Sequence, residues 1–193
     1  MRDLMGKRIG LPTKLGIPHT YARIITSAFK MEKDVRFVAA GGVRETIAGL
    51  RVGAFEAVSQ PLTTMARLQV KGMLRSLAST VDYLPKPWTD LVVFARKNFT
   101  RSKPDLVRKT LRALLQSTNF IQKNSRWTVD KMKSFSRFPE EAAKLVQKDF
   151  QFTTTGRLDR KAVENLRKVF IQYGVLTEKA PPVDQLFTNE YLP

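Results

Sequence analysis

Residues 35–61, VRFVAAGGVRETIAGLRVGAFEAVSQP, constrain the fold more than any other part of the chain. They read as an apolar strand, a Gly41-Gly42 turn, an amphipathic helix, a Gly53-Ala54 corner and a second strand closed by Pro61. A strand–turn–helix–strand unit of this length is a βαβ crossover, right-handed by the sterics of twisted strands, and it commits the region to a parallel sheet. The Gly41-Gly42 pair stands where the first strand hands over to the helix. Bare backbone N–H groups and the positive end of the helix dipole there face whatever binds at the strand's C-terminal edge. The pattern predicts a ligand pocket rather than a set of catalytic groups.

The flanking segments extend the same alternation. Residues 7–11 (KRIGL) predict a strand ended by Pro12, and a loop with Gly16 leads to Pro18 at the start of a helix over 19–30. Tyr21, Ile24, Ile25 and Phe29 recur at helical spacing on its core face. Strands follow over 35–40 and 55–59. Between them a helix over 44–52 presents Ile47, Ala48 and Leu50 and stops at Gly53. A helix carrying Met65 and Leu68 begins after Pro61, and 73–77 predict one more short strand.

From Thr80 the texture changes. Residues 82–88 (DYLPKPW) predict a loop or hinge, and 91–95 (LVVFA) a strand whose continuous apolar run suits burial on both faces. Helices are expected over 104–123, 128–134, 139–150 and 159–173. Pro139, Glu140 and Glu141 open the third, while Asp159 caps and Gly174 stops the fourth. The tail over 181–193 reads as extended. A lone strand at 91–95 needs a sheet to join, and nothing after it supplies one.

A chain of 193 residues with 42% hydrophobic and 9% aromatic residues can bury a sizeable core. Its 34 Lys and Arg against 17 Asp and Glu leave a net charge of +17, which fits either a polyanionic partner or simply a basic surface. Arg101, Lys103, Arg108, Lys109 and Arg112 lack interleaved aromatics or a reading motif, so a solvated face is the default and no specific nucleic acid is expected. The absence of Cys removes disulfides, thiolate nucleophiles and thiolate metal sites, and suits an oxidising compartment. The N-terminus lacks the apolar stretch of a signal peptide, and no apolar run approaches the ~20 residues that span a bilayer.

Four segments, in order, resemble the type II periplasmic solute-binding proteins of ABC importers. The branch is the one that includes sulfonate/taurine-binding and thiamine-pyrimidine-precursor-binding proteins. Gly6-Lys7-Arg8-Ile9-Gly10 is similar to the GKRIG that opens the family's second lobe. Residues 32–38 (EKDVRFV) resemble the strand leading to its Gly-Gly turn, and 48–57, with Gly53 and Glu56, its A-L-x-x-G-x-(D/E)-A stretch. Lys103-Pro104-Asp105 through Leu114-Leu115 resembles the long helix after the return to the first lobe.

The resemblance implies an α/β, periplasmic-binding-protein type II-like fold. One complete parallel-sheet lobe would occupy 1–80. A hinge and a mostly helical, incomplete return to the other lobe would occupy 81–193. The first half of lobe one, whose sheet would receive 91–95, would be missing, leaving an unpaired strand as a surface for self-association.

By the same resemblance, lobe two meets its ligand with backbone N–H groups and hydroxyls at helix N-termini. Gly16, His19 and Thr20 occupy that loop; His19, the single histidine, is either a ligand contact or a first-turn residue. Gly41 and Gly42 either approach the ligand or make the tight turn. Arg44 either pairs with a sulfonate or carboxylate or is solvated. Gln60, with Thr63 and Thr64 beyond Pro61, lies at the C-terminal edge of its strand, where α/β sheets bind ligands. Trp88 lines the cleft or plugs the hinge. No cofactor, metal site or catalytic residue is expected.

The implied function is an extracytoplasmic solute-binding component that delivers a small anionic or heteroaromatic ligand to an ABC permease without chemistry. The ligand would be sulfonate-, nitrate- or pyrimidine-like. One alternative is a basic protein that binds nucleic acid or an anionic surface. Another is a thiamine-pyrimidine synthase-like enzyme, whose family uses a histidine and a Cys-rich segment that a Cys-free chain cannot supply.

Overall fold

The computed structural model describes residues 1–149 and 151–193. It divides into two compact units, Met1–Lys86 with Arg167–Ala180, and Pro87–Leu166 with Pro181–Pro193.

The first unit is built on strands β1 (Arg8–Leu11), β2 (Arg36–Ala39) and β3 (Ala57–Val58), ordered β2-β1-β3 and parallel throughout. Ile9 is registered against Phe37 on one side and Ala57 on the other, so Ile9, Phe37 and Val58 belong to one sheet, as the glycine punctuation predicts. Helices α1 (Ile17–Ala28), α2 (Val43–Arg51) and α3 (Leu62–Gln69) follow the three strands in turn. The chain steps from β1 outward to β2, then back past β1 to β3. Two right-handed crossovers running in opposite directions cover opposite faces of the sheet and leave a switch point between β1 and β3.

The core gathers Leu4, Ile9, Leu11, Ala22, Met31 and Val35, with Phe37 and Ala57 packed against it. Phe55 explains two glycines. Its ring lies where a Cβ on Gly10 would sit, 2.5 Å from the nearest ring carbon, and a Cβ on Gly49 would strike the same ring. Glycine in β1 and in α2 thus lets an aromatic ring fill the gap between strand and helix.

The first unit departs from the sequence reading in three places. Helix α1 starts earlier than residue 19, with Gly16 as its N-cap, and buries Thr20, Ala22, Ile24 and Thr26, while Phe29 lies exposed beyond its end. The strand expected over 55–59 is only the pair Ala57–Val58. Residues 73–77 form no strand, because no edge of the sheet is paired with them.

The second unit is helical among the described residues: α4 (Lys97–Ser102), α5 (Pro104–Lys123), α6 (Ser125–Ser136), α7 (Glu140–Lys148) and α8 (Arg160–Gln172). The last helix divides, its residues from 167 onward counting with the first unit. Val107, Thr128, Ala142, Ala143, Val146, Ala162 and Val163 are the buried side chains here. Glu140 and Glu141 open α7, where carboxylates complement the helix dipole, and both pair with Lys144, at 3.1 and 2.9 Å. The expected end of this helix at Phe150 lies outside the described residues.

The expected strand at 91–95 is corrected. The segment is irregular, and none of its backbone groups takes part in a hydrogen bond among the described residues. It is neither paired with a strand nor packed under helices: Leu91 is 84% exposed and Phe94 91%. A continuous apolar run becomes a strand only where a sheet edge completes its ladder.

Candidate functional site

All three strands point the same way, so the β1–α1, β2–α2 and β3–α3 junctions meet at one edge of the sheet. Backbone bonds lace them together. The Ala40 N–H donates to the Leu11 carbonyl at 2.8 Å, the Gly41 N–H to Pro12 at 3.1 Å, and the Ser59 N–H to Gly10 at 3.2 Å. The Ser59 hydroxyl reaches across the switch point and donates to the Pro18 carbonyl at 2.7 Å. Gly16, His19, Gly41, Gly42 and Gln60 thus lie along one rim.

At the first junction the chain turns through Leu15, held at a left-handed φ of 60°. Its N–H donates to His19 Nδ1 at 3.1 Å, and the imidazole stands edge-on to Phe37 of β2, centroids 5.1 Å apart. Burial, aided by the nearby charges of Arg23 and Lys14, pushes the imidazole below its ordinary value of 6.5. A neutral ring accepting at Nδ1 carries its proton on Nε2. His19 therefore clamps the loop with one nitrogen and keeps a donor on the other. Thr20 is buried, and its hydroxyl is spent on the Gly16 carbonyl at 3.3 Å. Pro18 removes one N–H from the first turn of α1, and no acidic side chain stands in that turn.

At the second junction Gly41 has φ 95°, a left-handed turn that glycine adopts without strain, and Gly42 is extended as the N-cap of α2. The Thr46 hydroxyl donates to the Gly42 carbonyl at 2.5 Å. The Glu45 carboxylate folds back over Gly42, into the space a Cβ would occupy there. The positive end of α2 is therefore already faced by a carboxylate of its own helix. Arg44 is exposed beside it.

The third junction holds the most telling group. Gln60 has both carboxamide atoms, Oε1 and Nε2, shielded from solvent and without a hydrogen-bond partner among the described residues. A shielded amide left unpaired costs about 1–3 kcal/mol, so the position is poised for a donor–acceptor partner. Pro61 caps α3, whose first turn has no acidic residue; Thr63 is exposed there and Thr64 half-buried.

The sequence reading names residues at all three junctions but not Ser59, Leu15 or Glu45. Glu45 had a visible signal, an acid three residues after a helix N-cap. Ser59 and Leu15 had none, because their roles depend on contacts between junctions.

The chain has no match among curated proteins. Residues 1–126 match the protein family described as NMT1/THI5 like, a span that takes in the whole three-stranded sheet and its rim and extends through α5. That family includes ABC solute-binding proteins and synthase-like members, and the mixed α/β architecture with its parallel sheet is consistent with a periplasmic-binding-like fold. The chain belongs to the NMT1/THI5-like family.

Proposed function

We propose that the rim formed by the three strand–helix junctions is the protein's half of a small-molecule site. The protein would serve as an extracytoplasmic solute-binding component that hands its ligand to an ABC permease without altering it. The observation that carries this reading is Gln60: a shielded, unpartnered carboxamide beside the switch point of a parallel sheet. Family membership supports the solute-binding class.

The carboxamide also sorts the ligand classes. It offers one acceptor and a donor side by side, the edge that pairs with an amino group next to a ring nitrogen. A sulfonate or nitrate has acceptors only; it would use Nε2 and leave Oε1 facing a negative charge. A pyrimidine-like heteroaromatic fits better. His19 Nε2–H supplies a further donor, and the acid-free first turns of α1 and α3 favour electron-rich groups. Against synthase chemistry, His19 is engaged in the loop and the chain has no Cys to join it.

Ligand-observed NMR with an aminopyrimidine and an alkanesulfonate tests the reading. The aminopyrimidine is expected to bind, and Gln60→Leu to weaken it about tenfold while leaving the fold intact by circular dichroism. Equal binding by wild type and Gln60→Leu, or preference for the sulfonate, overturns it.

A further inference from the structure

The segment from residue 91 to residue 103 combines two properties that rarely adjoin on a soluble surface. Leu91, Val92, Val93 and Phe94 are consecutive, apolar and exposed, Leu91 at 84% and Phe94 at 91%. Directly after them come Arg96, Lys97, Arg101 and Lys103, all exposed and none within ion-pair distance of a carboxylate among the described residues. Lys97 and Arg101 stand one turn apart on α4, with Phe99, itself 44% exposed, between them in sequence. Exposed apolar residues in such a run mark an interaction surface rather than ordinary surface variation.

We propose that this segment docks the protein onto an anionic phospholipid bilayer. Charge and apolar character must be satisfied by one occupant, and that requirement sorts the candidates. A second copy would complete the apolar run but would bring another +17 against the same cations. A single-stranded nucleic acid would neutralise the cations, yet its bases stack on aromatic rings and gain little from Leu91, Val92 and Val93. A bilayer surface with anionic headgroups accepts both at once: acyl chains take the aliphatic and phenyl side chains while phosphates take the guanidinium and ammonium groups.

The backbone sets the depth. Among the described residues the N–H and carbonyl groups of 91–95 have no hydrogen-bond partner; the hydrocarbon layer would penalise them but the hydrated headgroup layer satisfies them. The side chains reach inward and the backbone stays at the interface. Among the described residues no helix is long and apolar enough to cross a membrane; the attachment proposed is peripheral, through this segment. The proposal does not depend on the solute site.

The chain contains no cysteine, so Phe94→Cys accepts a single environment-sensitive fluorophore, and the position's 91% exposure makes the change neutral for folding. With phosphatidylcholine vesicles containing about 30 mol% phosphatidylglycerol, the label is expected to shift to the blue, and with pure phosphatidylcholine it is not. The same label at Val52→Cys on the first unit, 81% exposed, is expected to stay unchanged. In co-sedimentation of the unlabelled chain, Leu91→Ser with Phe94→Ser should weaken binding at least about tenfold. Lys97→Glu with Arg101→Glu should weaken it about thirtyfold, and added salt should weaken the wild type.

Three results each overturn the proposal: vesicle binding that ignores phosphatidylglycerol, vesicle binding without a shift at position 94, and no vesicle binding at all. A dimeric mass with the label already buried in vesicle-free solution would give the segment to a second copy instead. A label that responds to single-stranded DNA and not to vesicles would give it to nucleic acid.

Discussion

Ser59 and Pro18, forty-one residues apart in the chain, are joined by a 2.7 Å hydrogen bond from the Ser59 hydroxyl to the Pro18 carbonyl. The bond fastens the exit of β3 to the first turn of α1 at the switch point of the sheet, and so fixes the width of the rim. Ser59→Ala is expected to lower the unfolding free energy by about 1 kcal/mol, read as a shift in the urea midpoint. An unchanged midpoint would show that the hydroxyl prefers water to the carbonyl.

Phe55 sets a second expectation. Gly49→Ala drives a methyl group into its ring and should cost about 1–3 kcal/mol, well beyond the usual gain of alanine over glycine in a helix. If the ring is the cause, the cost shrinks in a Phe55→Leu background, where the helix can settle against a smaller side chain. A double-mutant cycle with no coupling between positions 49 and 55 would reject that account.

The acid limb of stability should carry the mark of Glu56. Hydrogen bonds from the Arg8 side chain and backbone hold its carboxyl at about 2 instead of 4.5. A carboxyl lowered on folding adds stability that is complete above its unfolded value and is lost as the pH falls through the folded one. The wild type should therefore lose stability between about pH 4.5 and 2, and Glu56→Gln should flatten that limb. Chemical denaturation across this range measures it; parallel curves for the two proteins would contradict the pairing.

His19, the only histidine, gives an uncluttered titration. Its midpoint is expected below 6.5, because burial opposes the charged ring. Protonation at Nδ1 removes the acceptor for the Leu15 N–H, so the Leu15 amide resonance should move with the same midpoint. The sign for stability follows: the contribution is present above the unfolded value and fades on acidification through the folded one. A Leu15 amide indifferent to pH would break the link.

Punctuation made the first unit readable. Pro12, Gly16, Pro18, Gly41, Gly42, Gly53 and Pro61 mark the ends of elements, and the apolar runs between them are short enough to name as strand or helix. The rim could be located for the same reason, since parallel strands bring their exits to one edge. Local pattern could not say how each group is used there. In sequence Thr20 offers a first-turn backbone N–H to an anionic group, but that N–H donates to the Gly16 carbonyl at 3.0 Å and the hydroxyl donates to the same carbonyl. Gln60 was found by position, whereas its lack of a partner depends on what surrounds it.

Residues 91–95 show where such reading fails. Composition states what a strand would prefer; a ladder needs an edge supplied by other residues, and among the described residues none is paired here. Helix α4 was missed for the converse reason. Its KNFTRS has weak intrinsic propensity, and its last turn is held by Lys103 N–H bonding back to Phe99 at 2.9 Å.

The first unit is discontinuous in the chain. Val169 and Tyr173, both buried, come from its returning segment, and the Tyr173 carbonyl accepts from Arg23 at 2.8 Å while its ring lies under the same guanidinium. During synthesis on the ribosome, the sheet emerges long before the residues that finish its packing. A chain halted near Lys86 would lack Val169, Tyr173 and the carbonyl that Arg23 binds, and would leave that side of the first unit's core uncovered until residues 167–180 arrive.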